Sequence, residues 1–446
     1  MAQDTPENYR NLVIYEIYVR NHGPNGTFSD AQADLERIQS MGVDIIWFMP
    51  IHPIGVLNKK GSLGCPYSIS NYREINPAYG TKADFSALIA RAHQLGLKVM
   101  IDVVYNHTSH DSVLVKQHPE WFHQDENGKP VTTVPEWSDV IDLKHPNPDL
   151  SAYLISTLQQ WVSFGVDGFR CDVASLLPLS FWKDAREAVA EVKPGVIWLA
   201  ESVQPSFVED RRMHDLFALS ESEIYTVFDL AYEYDIWPVW QACVKDEIPT
   251  SRYLEMLRFQ NSIYPENYVK LRYVENHDQP RVMGFVPGTQ QALAWTAFSA
   301  FNKGAFLIYA GQESGETHRP SLFDIDKVNW QNYQYQDFIT KLARLKKHTA
   351  QLYGKLYLIN EGEPAIQAIW HTPKTSLFGV FNVKHRQGEI LVLLPDGVYT
   401  DLISNNPIAV KNGKMALPDS AAILECAVPQ PPDQFFSSLI DTHYEA

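Results

Sequence analysis

The sequence predicts an α/β fold: a (β/α)8 TIM barrel with a small subdomain inserted after the third strand and an all-β sandwich domain at the C-terminus. Three observations carry that expectation. Short apolar, β-branched runs alternate with amphipathic helical segments through most of the chain. The alternation breaks once, over a polar stretch rich in His, Pro and Trp. After about residue 361 it gives way to short strands separated by turn signals.

VIYEIYV (13–19) reads as the first strand. SDAQADLERIQSMG (29–42) reads as a helix with Leu35, Ile38 and Met41 on one face and Gly42 as its stop. VDIIWFMP (43–50) is the second strand. TKADFSALIARAHQLG (81–96) opens with Thr81 and Asp84 spaced as a capping box, keeps Phe85, Leu88, Ile89 and Ala92 at helical spacing, and ends at Gly96. LKVMIDVVY (97–105) is the third strand. The segment that follows is too long for a simple loop and reads as the insertion. VDGFRCD (166–172), VIWLAE (196–201), EIYTVFD (223–229), VKLRYVE (269–275) and GAFLIYA (304–310) complete eight strands. Continuous apolar strands of this kind belong in a parallel sheet covered on both faces. The expected limits are 1–106 and 148–357 for the barrel, 107–147 for the insertion and 358–446 for the β-sandwich, whose strands include AIQAIWH, SLFGVFNV, EILVLL, GVYTDLI and AILECAV. PQPPDQFFSSLIDTHYEA (429–446) reads as a loosely packed tail.

With 446 residues, 45% of them hydrophobic, the chain is long enough for a large core and exceeds one typical domain. Lys+Arg of 37 against Asp+Glu of 53 gives a net charge of −16. That balance argues against nucleic acid and against an anionic membrane surface as partners. Cys65, Cys171, Cys243 and Cys426 form no CxxC pair, which disfavours a zinc site, and their wide spacing suits reduced thiols in the cytoplasm. The N-terminal residues lack the basic and apolar segments of a signal peptide, and no run of about 18 apolar residues spans a membrane.

Asp172, Glu201 and Asp278 each follow an apolar run, at the point where a strand leaves the core and meets solvent. Side chains alternate faces along a strand, so Arg170 and Asp172 point together into the barrel while Cys171 points to the outer helices. The Arg170 charge is expected to lower the pKa of Asp172 and keep it ionised. The apolar neighbours of Glu201 are expected to raise its own. An ionised carboxylate beside a protonated carboxyl is the arrangement for glycoside hydrolysis with retention. One attacks the anomeric carbon; the other donates to the leaving oxygen and later activates water. Any one of these acids alone reads more simply as a barrel-end ion pair with Arg170 or Arg272. Three at three strand ends, each beside Arg, His or Asn, favour chemistry.

DVVYNH (102–107), GFRCD (168–172), VIWLAE (196–201) and VENHD (274–278) together resemble the four signature stretches of the α-amylase family, glycoside hydrolase family 13. They stand in the family's order, on strands three, four, five and seven. CPYSISNYREINPAYG (65–80) also resembles the family's segment before the third strand, and the resemblance runs from about residue 12 to 350 and on into the β-rich C-terminal domain. It implies Asp172 as nucleophile, Glu201 as general acid/base, and Asp278 as the carboxylate that holds sugar hydroxyls. His107 and His277 match the histidines that hydrogen-bond the ring whose bond breaks. Arg170 matches the arginine that orients the nucleophile, and Tyr67 the aromatic on which that ring stacks. Asn106 matches an asparagine that binds calcium in many members, and Asp142 stands where another ligand often does. Calcium is therefore the one cofactor implied, the other reading being that Asn106 pins the insertion. Asp102 is expected to partner Arg170, and the loop 311–324 to shape the pocket, with Gln312 and Glu313 structural. One departure stands out. Many α-amylases carry a Lys-His pair shortly after the nucleophile, where this chain has Val173, Ala174, Ser175 and Leu176, so its leaving-group contacts must differ.

The expected function is a retaining hydrolase of α-1,4-linked malto-oligosaccharides or starch-type glucans, with an α-glucan oligosaccharide as its partner. A transglycosylase or exo-α-glucosidase with the same chemistry stands open beside it, as does a non-catalytic sugar-binding relative. A metal-dependent hydrolase lacks the HxH or HExxH spacing it needs. Oligomeric state is not written in these motifs.

Overall fold

A computed structural model describes residues 4–359 and 362–426 of the chain. In chain order the first strands are β1 (Val13–Ile17), β2 (Ile45–Phe48), β3 (Lys98–Val103), β4 (His107–Ser109), β5 (Val140–Asp142), β6 (Gly168–Cys171), β7 (Ile197–Ala200), β8 (Leu230–Tyr232), β9 (Val269–Arg272) and β10 (Ala305–Tyr309). All but β4 and β5 close into one barrel in the order β1-β10-β9-β8-β7-β6-β3-β2. The pairings are parallel throughout, which requires helices on the outside and explains why the strands are buried on both faces.

The helices form where their ends are capped. Thr27 and Asp30 make a reciprocal capping box ahead of Phe28–Ser40, and Thr81 and Asp84 make the expected one ahead of Lys82–Gln94. Phe85, Leu88, Ile89 and Ala92 are the buried face of the latter. Pro148–Phe164 is capped by Asn147 and stopped by Gly165 at φ 119°, a left-handed backbone that suits glycine.

Two strand expectations are corrected. The segment 223–229 is not a strand. Ser220 and Glu223 form a capping box that winds Glu221–Ile224 into a helical turn, and the sixth barrel strand is β8, further on. The first strand stops at Ile17, and Val19–His22 turns helical. In both places buried apolar side chains occupy a turn, and an apolar run alone does not separate the two conformations.

The insertion is held by the antiparallel β4–β5 hairpin, which sets His107 opposite Asp142. At the C-terminus follow β11 (Lys355–Leu358), β12 (Ile366–His371), β13 (Ser376–Phe381), β14 (Glu389–Leu391), β15 (Gly397–Thr400), β16 (Pro407–Val410), β17 (Lys414–Ala416) and β18 (Ala421–Cys426). A four-stranded sheet, β11-β12-β13-β18, faces the pairs β14-β17 and β15-β16 across a core of its own that includes Phe378, Ile390, Val410, Met415 and Leu424. β11 begins at Lys355, ahead of the expected limit at 358. The tail expected at 429–446 lies outside the described residues. Among the described residues no helix is long and apolar enough to cross a membrane.

Candidate active site

Strand register brings the acids to one mouth of the barrel. Cys171 of β6 is level with Ala200 of β7, so Asp172 and Glu201 leave adjacent strands side by side. Asp102 of β3 is level with Arg170 of β6. Asp278 arrives in the turn after β9. A cavity of about 210 Å³ opens there, lined by Tyr67, His107, Asp172, Glu201, His277 and Asp278. Leu322 and Phe323 of the loop after β10 line it as well, so that loop does shape the pocket.

Arg170 lies beneath the cavity, fully buried. Its Nη1 donates to Asp172 Oδ1 at 2.8 Å and to Asp102 Oδ1 at 3.0 Å. Its Nη2 is 3.1 Å from Glu201 Oε1, an ion-pair contact not aligned as a hydrogen bond. Tyr67, Trp47 and Tyr232 present their rings to the same guanidinium. One cation is thus shared among three carboxyls in an aromatic cage, which keeps it charged despite burial.

The two histidines differ in charge. Burial pushes His107 below its ordinary pKa. Its Nδ1 takes the Asn106 amide N–H at 3.2 Å, so the neutral ring carries its proton on Nε2, which is 3.8 Å from Asp172 Oδ2. Tyr72 fixes the backbone by donating to the His107 carbonyl at 2.7 Å. Burial would lower His277 too, but the carboxylates of Asp278 and Glu16 outweigh it and hold this ring protonated. Its Nε2 is 3.0 Å from Asp278 Oδ2, and its Nδ1 bonds Glu16. Tyr67 stacks on His277 at 5.4 Å between centroids and donates its hydroxyl to Asp102 at 2.9 Å.

These surroundings separate the three acids. Burial alone would raise Asp278, yet His277, Arg170 and Arg319 bring it down to about 2. Its side chain is 37% exposed, open enough to meet a ligand. Burial pushes Asp172 up to about 6, with Arg170 pulling it back. Burial pushes Glu201 up to about 7, and the negative charge of Asp172 and Asp278 adds to the rise. The expectation for Glu201 agrees with this. The expectation that Arg170 would hold Asp172 below its ordinary range does not, because one cation divided among three acids cannot offset the desolvation of a buried carboxyl.

Residues outside the sequence motifs complete the site. Val173 stands at φ 34°, a strained backbone for a β-branched residue, and its N–H donates to Glu201 Oε2 at 2.8 Å. Arg319 donates to the Asp278 carbonyl. Trp137 of the insertion packs against His107 at 5.3 Å. Of these partners only Glu16 has a sequence signal, as the single acid inside the apolar run VIYEIYV. Glu313 accepts from Tyr15 at 2.5 Å and pairs with Arg37, a structural role as expected.

Asn106 and Asp142 stand on the hairpin beside His107. Asp142 Oδ2 accepts from the Thr133 amide at 2.7 Å and hydroxyl at 2.6 Å. Arg211 donates to that same hydroxyl at 3.3 Å, placing a guanidinium by the carboxylate. Asp142 Oδ1 is buried without a hydrogen-bond partner. Calcium takes roughly six to eight oxygens. One free carboxylate oxygen beside a fixed cation, with only the Asn106 amide oxygen to add to it, falls short of that cage.

The family model described as "Alpha amylase, catalytic domain" matches residues 18–132 and 134–352, and "Bacterial Alpha amylase C-terminal domain" matches 358–424. The fold is similar to the crystal structure of an α-amylase from Lactobacillus plantarum, with a TM-score of 0.91 at 39% identity over 95% of this chain and 100% of that one. It is also similar to a maltogenic α-amylase from Thermotoga neapolitana, with a TM-score of 0.84 at 34% identity over 94% and 100%. Alpha-amylase MalA of Haloarcula japonica is 27% identical over 76% of this chain and 49% of its own length. The chain spans about half or less of the length of the first curated relatives it matches. A profile that covers most of the barrel and a likeness running the whole length at 39% identity rest on the same strands that carry the carboxylates, and the chain belongs to the α-amylase family.

Proposed function

We propose that the chain is a retaining hydrolase of α-1,4-linked glucans, with malto-oligosaccharides as substrates. The observation that carries the reading is the gathering of three carboxyls at one mouth of the barrel: Asp278 paired with His277 and drawn down to about 2, and Asp172 and Glu201 side by side on the buried Arg170, pushed up to about 6 and about 7. Near neutral pH the first two carry charge while Glu201 keeps its proton, which is the division that double displacement needs. Asp172 Oδ attacks the anomeric carbon as Glu201 protonates the departing glycosidic oxygen, leaving a glycosyl ester on Asp172. Glu201, now ionised, takes a proton from water, whose oxygen displaces the Asp172 carboxylate. The sugar leaves with its configuration retained and both carboxyls are restored. Asp278 and the His107 Nε2–H hold ring hydroxyls, and Tyr67 offers a ring face to the sugar.

On the leaving-group side, Val173, Leu176, Val208 and Ala218 cluster with Trp137 and Phe207. An apolar wall thus stands where a Lys-His pair would offer hydrogen bonds. Four free cysteines, three of them buried, support a reducing compartment, the cytoplasm. The defining experiment is chromatography of products from maltoheptaose and pullulan, with NMR of the first-formed anomer. Short α-anomeric hydrolysis products support the reading. Transfer products that dominate at low water activity would move the enzyme to the transglycosylases, and an initial β-anomer would end the double-displacement mechanism.

The pH profile follows with its sign. Activity needs Asp172 ionised and Glu201 protonated, so kcat/KM falls below about pH 6 and again above about pH 7. The two limbs belong to the coupled pair. A plateau extending beyond pH 9 would remove Glu201 as the acid.

We propose further that Arg211 supplies the positive charge at the hairpin that calcium supplies in other members. A chelator then leaves both activity and Tm unchanged. Arg211→Gln destabilises the protein by about 1 kcal/mol, the size of a lost hydrogen bond to a part-buried partner, read by calorimetry. Loss of Tm on chelation, restored by added calcium, would reverse this assignment.

A further inference from the structure

The cavity at the three acids is small and closed unevenly. Its volume of about 210 Å³ falls below the roughly 300–1,000 Å³ of pockets that enclose a whole small ligand. It suits the end of a sugar chain better than a run of chain. Strand order tells its two sides apart. In the ring β1-β10-β9-β8-β7-β6-β3-β2, β1 stands across from β7. Glu201 follows β7 and protonates the departing oxygen, so the leaving group lies on that side, along Val173 and Leu176. The loops after β2 and β10 flank β1 and close the opposite side, where the sugar attacked by Asp172 continues toward its non-reducing end.

That side is tied shut by one side chain. Lys60, on the loop after β2, lines the cavity. Its Nζ pairs with Asp139 Oδ1 of the insertion at 2.9 Å and donates to the Glu136 carbonyl at 3.1 Å. The strap that carries Lys60 is anchored on both flanks. Asp111, also of the insertion, accepts the amides of Val56 and Leu57 at 2.9 and 3.2 Å. Asp324, on the loop after β10, accepts the Ser62 amide at 2.9 Å and hydroxyl at 2.6 Å, and the Phe323 carbonyl accepts the Leu63 amide at 3.0 Å. Gly61 stands at φ 62°, and a Cβ there would meet the Phe323 Cβ at 2.5 Å, so strap and loop are in direct contact. The Asp139 carboxylate is buried, while the Lys60 side chain is 35% exposed. Its two partners do not use up the donors of an ammonium, and what remains faces a cavity where a sugar hydroxyl can meet it.

We propose that Lys60 is a specificity-determining residue: its bridge to Asp139 stops a glucan on the glycone side, so the enzyme works from non-reducing ends and does not cut within chains. The inference rests on the glucan-hydrolase reading above and fixes its mode. A chain continuing past the bridge would have to displace Lys60 and leave the buried Asp139 carboxylate uncompensated. A chain end has only to offer its terminal hydroxyl.

The test sets maltoheptaose beside maltoheptaose capped at its non-reducing end by an ethylidene acetal, with products separated by chromatography. The parent should cleave the capped chain about a hundredfold more slowly, the scale on which a fitted pocket rejects a small added group. Lys60→Ala and Asp139→Ala open the bridge from its two sides, and each should raise the capped-to-uncapped ratio of kcat/KM about tenfold. Lys60→Arg keeps a cation for Asp139 and should hold the parent's ratio. A merely structural loss lowers both rates together and leaves the ratio where it was. Cleavage of neither chain by the parent removes the hydrolase reading itself. Equal cleavage of both overturns the end-on mode and spares that reading. A ratio unmoved in both alanine variants overturns the assignment to Lys60.

Discussion

Asp172→Asn lowers kcat/KM on maltoheptaose by about 10⁴-fold or more, the scale for removing a nucleophile that no other group replaces, while the fold survives and gains stability at neutral pH. The second half follows from the sign of the shift. Asp172 titrates near 6 in the folded chain, above the ordinary carboxylate range of about 4. The folded state therefore binds more protons than the unfolded one between those values, and stability falls as pH climbs through them. Asparagine has nothing to ionise. The variant should match the parent in Tm near pH 4 and exceed it at pH 7. Glu201→Gln loses natural substrates to a similar degree but keeps the first step on glucosyl fluoride, whose leaving group needs no proton. Its glycosyl-enzyme then accumulates, and mass spectrometry should find the sugar on the peptide holding Asp172. A label on another carboxylate, or equal residual activity in both variants and parent, would sink the assignment.

The barrel is legible because its strands are continuous apolar runs set between capped helices. Thr81 with Asp84 marks one helix start in the sequence as clearly as in the structure. β8 escapes because Ile224, Tyr225, Val227 and Phe228 are all buried without forming a strand. Their apolarity reports depth and not conformation, and the Ser220–Glu223 capping box is the better signal. Within the site, position along a strand is enough to gather Asp172, Glu201 and Asp278. The charge states are another matter. Whether Arg170 or burial wins at Asp172 depends on how many carboxyls share the guanidinium, and that number comes from the pairing of β3, β6 and β7. Val173, Trp137 and Arg319 are set by turn and loop geometry, which has no period to read.

Arg170→Met tests the cage itself. The substitution keeps an unbranched apolar stem, shorter than that of arginine, and removes the only cation within ion-pair distance of Asp102, Asp172 and Glu201 among the described residues. Breaking a buried pair by deleting one partner costs about 3–5 kcal/mol because the remaining charge is left uncompensated. Here three carboxyls remain, and they respond by holding their protons. Asp102 and Glu201 already stand near 7 with Arg170 present, and Asp172 near 6. Without the guanidinium all three rise further, so the folded state goes on binding excess protons at higher pH than in the parent. By linkage its stability goes on falling over that added range. The difference in Tm between variant and parent should widen from pH 5 to pH 8. Residual activity should fade as well, with the acid limb of kcat/KM moving to higher pH because Asp172 ionises later. A variant that loses stability equally at both pH values and keeps the parent's acid limb would mean that Arg170 acts through packing against Trp47, Tyr67 and Tyr232 and not through charge. A shifted limb together with a widening Tm gap would place the control of the nucleophile in this one side chain.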